Sequence, residues 1–147
     1  MSVELPFAPV DAVIRRHAGS LRVSSEATEE LAERIQERGA RLAADAAQRA
    51  TDDDRKTLQA ADFETDAAES GELELPVAPV DRIARLDIDD RYRVARDARV
   101  ALAGRLERYA GRVATAAAVL ARHAGRRTIT VADVETYFEL APYYHNE

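Results

Sequence analysis

The chain has 147 residues, 46% apolar and 33% charged, which suits one domain or two very small ones and excludes a disordered polyelectrolyte. Its lack of cysteine excludes disulfides, thiolate metal sites and a cysteine nucleophile. Its 21 basic and 27 acidic side chains leave a net charge of −6, and with no long apolar run and no signal-peptide layout in MSVELPFAP, a soluble intracellular protein is expected.

In chain order, the first predicted helix opens at Pro9, where a missing N–H costs nothing and φ is preset, and ends near Gly19. Ser24 and Ser25 are good N-caps for a second helix. Along it Ala27, Leu31, Ile35, Leu42 and Ala46 lay one apolar stripe at helical period. No proline interrupts it before Asp52, so it can reach ~40 Å at ~1.5 Å per residue. The loop Arg55-Lys56-Thr57-Leu58 leads into a short last helix whose cap, Gln59, is weak enough to let it fray. The stretch Ala68 to Val77 is acidic, holds Gly71, and spans roughly 30 Å if extended.

The pattern then starts again. Residues 4–11, ELPFAPVD, return as ELPVAPVD at 74–81, identical at seven of eight positions. Arg22-Val23 returns as Arg93-Val94, Arg55-Lys56-Thr57-Leu58 as Arg126-Arg127-Thr128-Ile129, and Asp62 as Asp133, all at an offset of 71. A register held across separate blocks marks a duplication. The second copy opens its first helix at Pro79, repeats the stripe as Ala98, Leu102, Leu106, Val113 and Ala117, and offers a capping box at Thr130 to Asp133. This predicts a first unit at 1–68, a linker at 69–77 and a second unit at 78–147. One copy of ~65 residues leaves its stripe half covered, so the two should pack together with their long helices crossing.

A short helix starting at APV, a long helix, then R-[KR]-T-[IL] before a short helix with an aspartate resembles the archaeal histones. The resemblance covers nearly the whole chain twice, as in a fused doublet of the haloarchaeal type. LARHAGRRTI, Leu120 to Ile129, carries it best, while RATDDDRKTL in the first copy keeps only the loop. The resemblance implies an all-α fold of two tandem histone folds clasped head to tail in an intrachain handshake, with double-stranded DNA bent around the outside. It implies an architectural or transcription-regulating role on the chromosome, little sequence preference, no cofactor and no membrane.

On that reading, clasping sets Arg22-Val23 beside Arg126-Arg127-Thr128, and Arg93-Val94 beside Arg55-Lys56-Thr57. Each junction gathers cations, a hydroxyl and free backbone N–H groups for phosphates. Arg22, Lys56, Thr57, Arg93, Arg127 and Thr128 are the contact candidates, joined by Arg15, Arg82 and Arg85 on the first helices, whose N-termini favour an anion. Ala12 replaces the arginine that the family usually has at the position of Arg82. Arg55 with Asp62, and Arg126 with Asp133, match the family's clamp of loop against last helix. Leu120 and His123 match a seam in which the histidine reaches Asp133 of a second chain. At the other end Arg49, Asp52, Asp53 and Asp54 stand instead, so assembly should use one end and stop at a pair of doublets. Arg96, Arg99, Arg105 and Arg108 read as a solvated face, and Tyr137, Phe138, Tyr143 and Tyr144 as a cover for the last helix. The aspartate run lacks the spacing of a calcium loop, and His17, His123 and His145 lack ligand spacing.

Twenty of the 21 basic residues are arginine, Lys56 being the exception, which with the acidic excess reads as adaptation to molar salt or as the mark of a high-GC genome. Residues 1–70 carry 9 basic and 15 acidic groups, and 71–147 carry 12 of each, less basic than bulk histones usually are. A protein with ~6 phosphate contacts loses roughly five orders of magnitude in affinity per tenfold rise in salt. A histone-fold scaffold for protein partners with little DNA binding is therefore the alternative.

Overall fold

A computed structural model describes residues 2–64 and 72–144. The proposed linker is described only from Glu72 onward, and Ala68, Gly71 and His145 lie outside the described residues. The first half runs α1 (Phe7–Ala18), β1 (Arg22–Val23), α2 (Ser25–Asp52), β2 (Thr57–Leu58) and a single 3-10 turn (Ala60–Phe63). The second runs α3 (Val77–Ala84), β3 (Arg93–Val94), α4 (Arg96–His123), β4 (Thr128–Ile129) and α5 (Val131–Tyr144). None of the described helices is long and apolar enough to cross a membrane.

The long helices are 28 residues each, and Ser24 caps α2 by accepting a hydrogen bond from the Ala27 N–H. Their shared stripe is the core. Leu31, Ile35, Leu102 and Leu106 are fully buried, together with Ile14 and Ile83 from α1 and α3 and Phe63 from the 3-10 turn. Each such side chain contributes about 1.5–3 kcal/mol relative to exposure. Leu42, read as part of the stripe, is half-buried.

The halves are clasped as expected. α1 packs across α4, α3 across α2, and the strands pair between halves, β1 with β4 and β2 with β3, both parallel. Gly39 of α2 is pressed by side chains of both α3 and α4: a Cβ there would stand 2.7 Å from Ile83 Cγ2 and 3.0 Å from Leu106 Cδ1. We expect Gly39→Val to lower unfolding stability by about 2 kcal/mol through overpacking, read from the urea midpoint. An unchanged midpoint would mean that the crossing is looser than it stands here.

Local details depart from expectation. α1 and α3 begin at Phe7 and Val77, so Pro9 and Pro79 occupy the third helical position, still among the N–H groups a helix leaves unpaired. α3 also stops at Ala84, where α1 runs on to Gly19 with φ 62°. Gln59 is a working cap: its side chain and Asp62 form a reciprocal box, although the helix behind it is one turn long. Thr130 forms half a box, since Asp133 accepts its N–H at 2.8 Å while its hydroxyl donates to the same carboxylate at 3.2 Å. At the end of α2, Asp54 holds φ 57°, the register of Gly125 with φ 75°. A left-handed residue is required there, and aspartate tolerates it better than most.

Candidate nucleic-acid interface

Each half contributes one loop to each of two ledges. On the first, Arg22 pairs with Thr128 and Val23 with Ile129; on the second, Thr57 pairs with Arg93 and Leu58 with Val94. Strand alternation sorts these residues. Leu58, Val94 and Ile129 point into the core, while Arg22 and Arg93 are exposed and Thr57 and Thr128 half-buried. Free backbone N–H groups are expected at these junctions; those of Arg22 and Arg93 are not free but donate to Arg127 O at 2.9 Å and Lys56 O at 2.8 Å. Burial of the strands' apolar residues draws the loops into two-residue ladders and uses those donors.

The side chains divide by what they already hold. Arg22, Lys56, Arg93 and Arg127 are exposed, and among the described residues none of these side chains has a hydrogen bond or ion pair. The helix arginines differ. Arg15 pairs with Asp11 at 2.6 Å, Arg82 with Glu4 at 3.0 Å and Arg85 with Asp81 at 3.2 Å. A phosphate would have to displace these carboxylates.

The loop-to-turn pairs are formed in both halves. Arg55 donates from Nη1 and Nη2 to Asp62 at 2.9 and 2.8 Å, and from Nη1 also to Thr57 O at 2.8 Å. It thereby holds the β2 backbone in place. Asp62 is 4% exposed, and its carboxyl is kept below the usual range by the Arg55 hydrogen bonds and the Gln59 N–H, against the effect of burial. Arg126 pairs with Asp133, which is 2% exposed.

The solvated-face reading needs correction at two arginines. Arg99 donates to Val94 O at 3.2 Å and pairs with Asp81 at 3.4 Å. Arg105 is half-buried and donates to Phe63 O at 2.9 Å, its pKa lowered by burial and by nearby Arg38. The 3-10 turn leaves carbonyls without a helical partner, and the Arg105 guanidinium reaches one of them across the clasp. Arg49 serves the same turn from its own half, with Nη1 donating to Asp62 O at 2.7 Å. Arg96 and Arg108 are exposed.

At the far end of α4, His123 is exposed and Leu120 half-buried. The corresponding end of α2 exposes Asp52, Asp53 and Asp54. Tyr137 and Phe138 are half-buried against the core, whereas Tyr143 and Tyr144 are 81% and 78% exposed among the described residues. Among the described residues no group of three His, Asp or Glu side chains is placed to hold a metal ion.

Comparison with known proteins gives a family match in both halves. Residues 3–65 and 73–136 each match the family described as histone-like transcription factor (CBF/NF-Y) and archaeal histone. One chain of the archaeal histone HAN1 from Thermococcus zilligii is 49% identical over 61 residues, 42% of this chain and 88% of that protein. The crystal structure of the histone from Methanopyrus kandleri superposes with a TM-score of 0.63 at 23% identity, covering 90% of this chain and 91% of that one, which is a likeness of fold.

Proposed function

The chain belongs to the family of histone-like transcription factors and archaeal histones and carries two histone folds in tandem, and from that premise we propose that it binds and bends double-stranded DNA with little sequence preference. Its role is then binding rather than catalysis, on the chromosome in the cytoplasm, in DNA architecture or transcription control. The observation that carries this reading is the pair of inter-half ledges on which Arg22 with Arg127, and Lys56 with Arg93, stand exposed without carboxylate partners among the described residues. Thr57 and Thr128 add hydroxyl donors. Such sites hold phosphates and read no bases. Arg15, Arg82 and Arg85 are secondary contacts, made only by exchanging a carboxylate for a phosphate. Arg55 with Asp62 and Arg126 with Asp133 brace the loops without touching DNA.

The test is titration of two unrelated duplexes of equal length at rising potassium chloride. Comparable affinities that fall together with salt are expected. Failure of both duplexes to bind at low salt would favour the scaffold alternative. The high-salt reading rests on the arginine and acidic composition alone, and predicts that the fold gains stability as potassium chloride approaches molar concentration.

Assembly follows from the two unlike ends. We assign Leu120 and His123 to a seam with a second chain, toward its Asp133, whose enclosed carboxylate would have to share its Arg126 and Thr130 bonds with the incoming imidazole, giving a pair of doublets. The acidic end repels its own copy, and Arg49, in the register of Leu120, is held by its own half. In sedimentation, the wild type is expected as two chains and His123→Ala as predominantly one. A species larger than two chains would contradict one-ended assembly.

A further inference from the structure

A cavity of about 400 Å³ lies between α2, α4 and α5 and shares no residue with either ledge. Four guanidinium groups line it, from Arg34, Arg38, Arg41 and Arg112, against one carboxylate, Glu37. Its floor is aromatic. Arg34 Cζ sits 4.4 Å from the Phe138 ring centroid and Arg38 Cζ 5.2 Å from that of Tyr109, the two rings being 6.3 Å apart. A guanidinium laid on a ring keeps the N–H groups around its edge for other acceptors.

Arg34 gives its Nε to Glu30 at 2.7 Å. Arg41 and Arg112, which share one register in the two halves, are exposed, and their side chains have no hydrogen bond or ion pair among the described residues. Only the second half can build the aromatic wall, because Phe138 corresponds at the same offset to Ala67. Like charges gathered this closely repel, and a multivalent anion relieves that repulsion. The cavity has the size of a small-molecule site and is too small to admit a duplex.

We propose that this cavity is a second binding site, for a compact ligand carrying linked phosphate groups. Phosphate suits it because each guanidinium offers a two-pronged donor edge, and linked phosphates put several negative charges into a small volume. The site is independent of the DNA ledges and stands whether or not they bind DNA.

Calorimetric titration of the full chain at low salt with sodium tripolyphosphate tests this. One site per chain is expected, with affinity reduced at least about tenfold in Arg41→Gln/Arg112→Gln. Both residues are exposed, so the variant keeps its fold. Citrate, a tricarboxylate of somewhat lower charge, should bind about tenfold more weakly than tripolyphosphate. A nucleoside triphosphate binding equally would trace recognition to the phosphate chain alone, and tighter binding would add the aromatic floor; both agree with the proposal. Absence of one-to-one binding, no change in the double variant, citrate binding as well as tripolyphosphate, or loss on substituting Arg22, Lys56, Arg93 and Arg127 would each overturn it.

Discussion

Replacing Arg22, Lys56, Arg93 and Arg127 together with glutamine is expected to weaken duplex binding by about two to three orders of magnitude, and to flatten the dependence of log affinity on log salt by about 4. All four side chains are exposed and unbonded among the described residues, so the change removes phosphate partners without opening the core. Fluorescence anisotropy at several potassium chloride concentrations provides both numbers. The ledges should not weigh equally. Lys56 and Arg93 neighbour the exposed Asp52, Asp53 and Asp54, whereas the ledge of Arg22 and Arg127 has no such acidic run. The Arg22/Arg127 pair variant should therefore lose more affinity than the Lys56/Arg93 pair. A triple Arg15, Arg82, Arg85 variant should lose less than the quadruple one, since each of those groups already has a carboxylate. Retention of affinity and slope by the quadruple variant would move the DNA to another surface.

Asp62→Ala is expected to destabilise the chain by about 1–3 kcal/mol, because it leaves the Gln59 N–H without its acceptor and takes two hydrogen bonds from Arg55, whose remaining ion pair is with Asp53. It should also loosen β2, since Arg55 then loses the carboxylate that aims it at Thr57 O. The pH dependence follows from the depressed carboxyl of Asp62. Its stabilising contribution is fully present above the unfolded-state value of about 4 and is lost as pH falls through the lower folded value. Melting temperature should thus fall in the wild type below about pH 4, and fall less steeply in Asp62→Asn. Parallel acid limbs in the two proteins would show that the pair carries no pH-linked stability.

The duplication, the crossing of the long helices and the meeting of Arg22 with Thr128 were legible because they rest on register, which a chain displays directly. Loop geometry was less legible. Two-residue ladders form only when both halves bury Leu58, Val94 and Ile129, and that is decided by the clasp rather than by local preference. The same holds for Arg105, whose partner Phe63 O lies 42 residues away, and for Arg82 and Glu4, 78 apart. Helical periodicity showed these arginines on a polar face but not what each reaches. The spacing of Arg34, Arg38 and Arg41 on one side of α2 was a visible signal for the cavity, yet its aromatic floor exists only once α5 is docked.

Both junctions are proposed to face the same DNA, and a sequence without cysteine allows that to be measured directly. A single cysteine placed by Ser25→Cys or by Arg96→Cys, equivalent positions just beyond each ladder, can carry a tethered cleavage reagent. Both derivatives should cut a bound duplex, at two separate positions, while Glu139→Cys on α5 should leave it intact. Cutting from position 139 with none from 25 or 96 would place the DNA on the α5 face and not on the ledges.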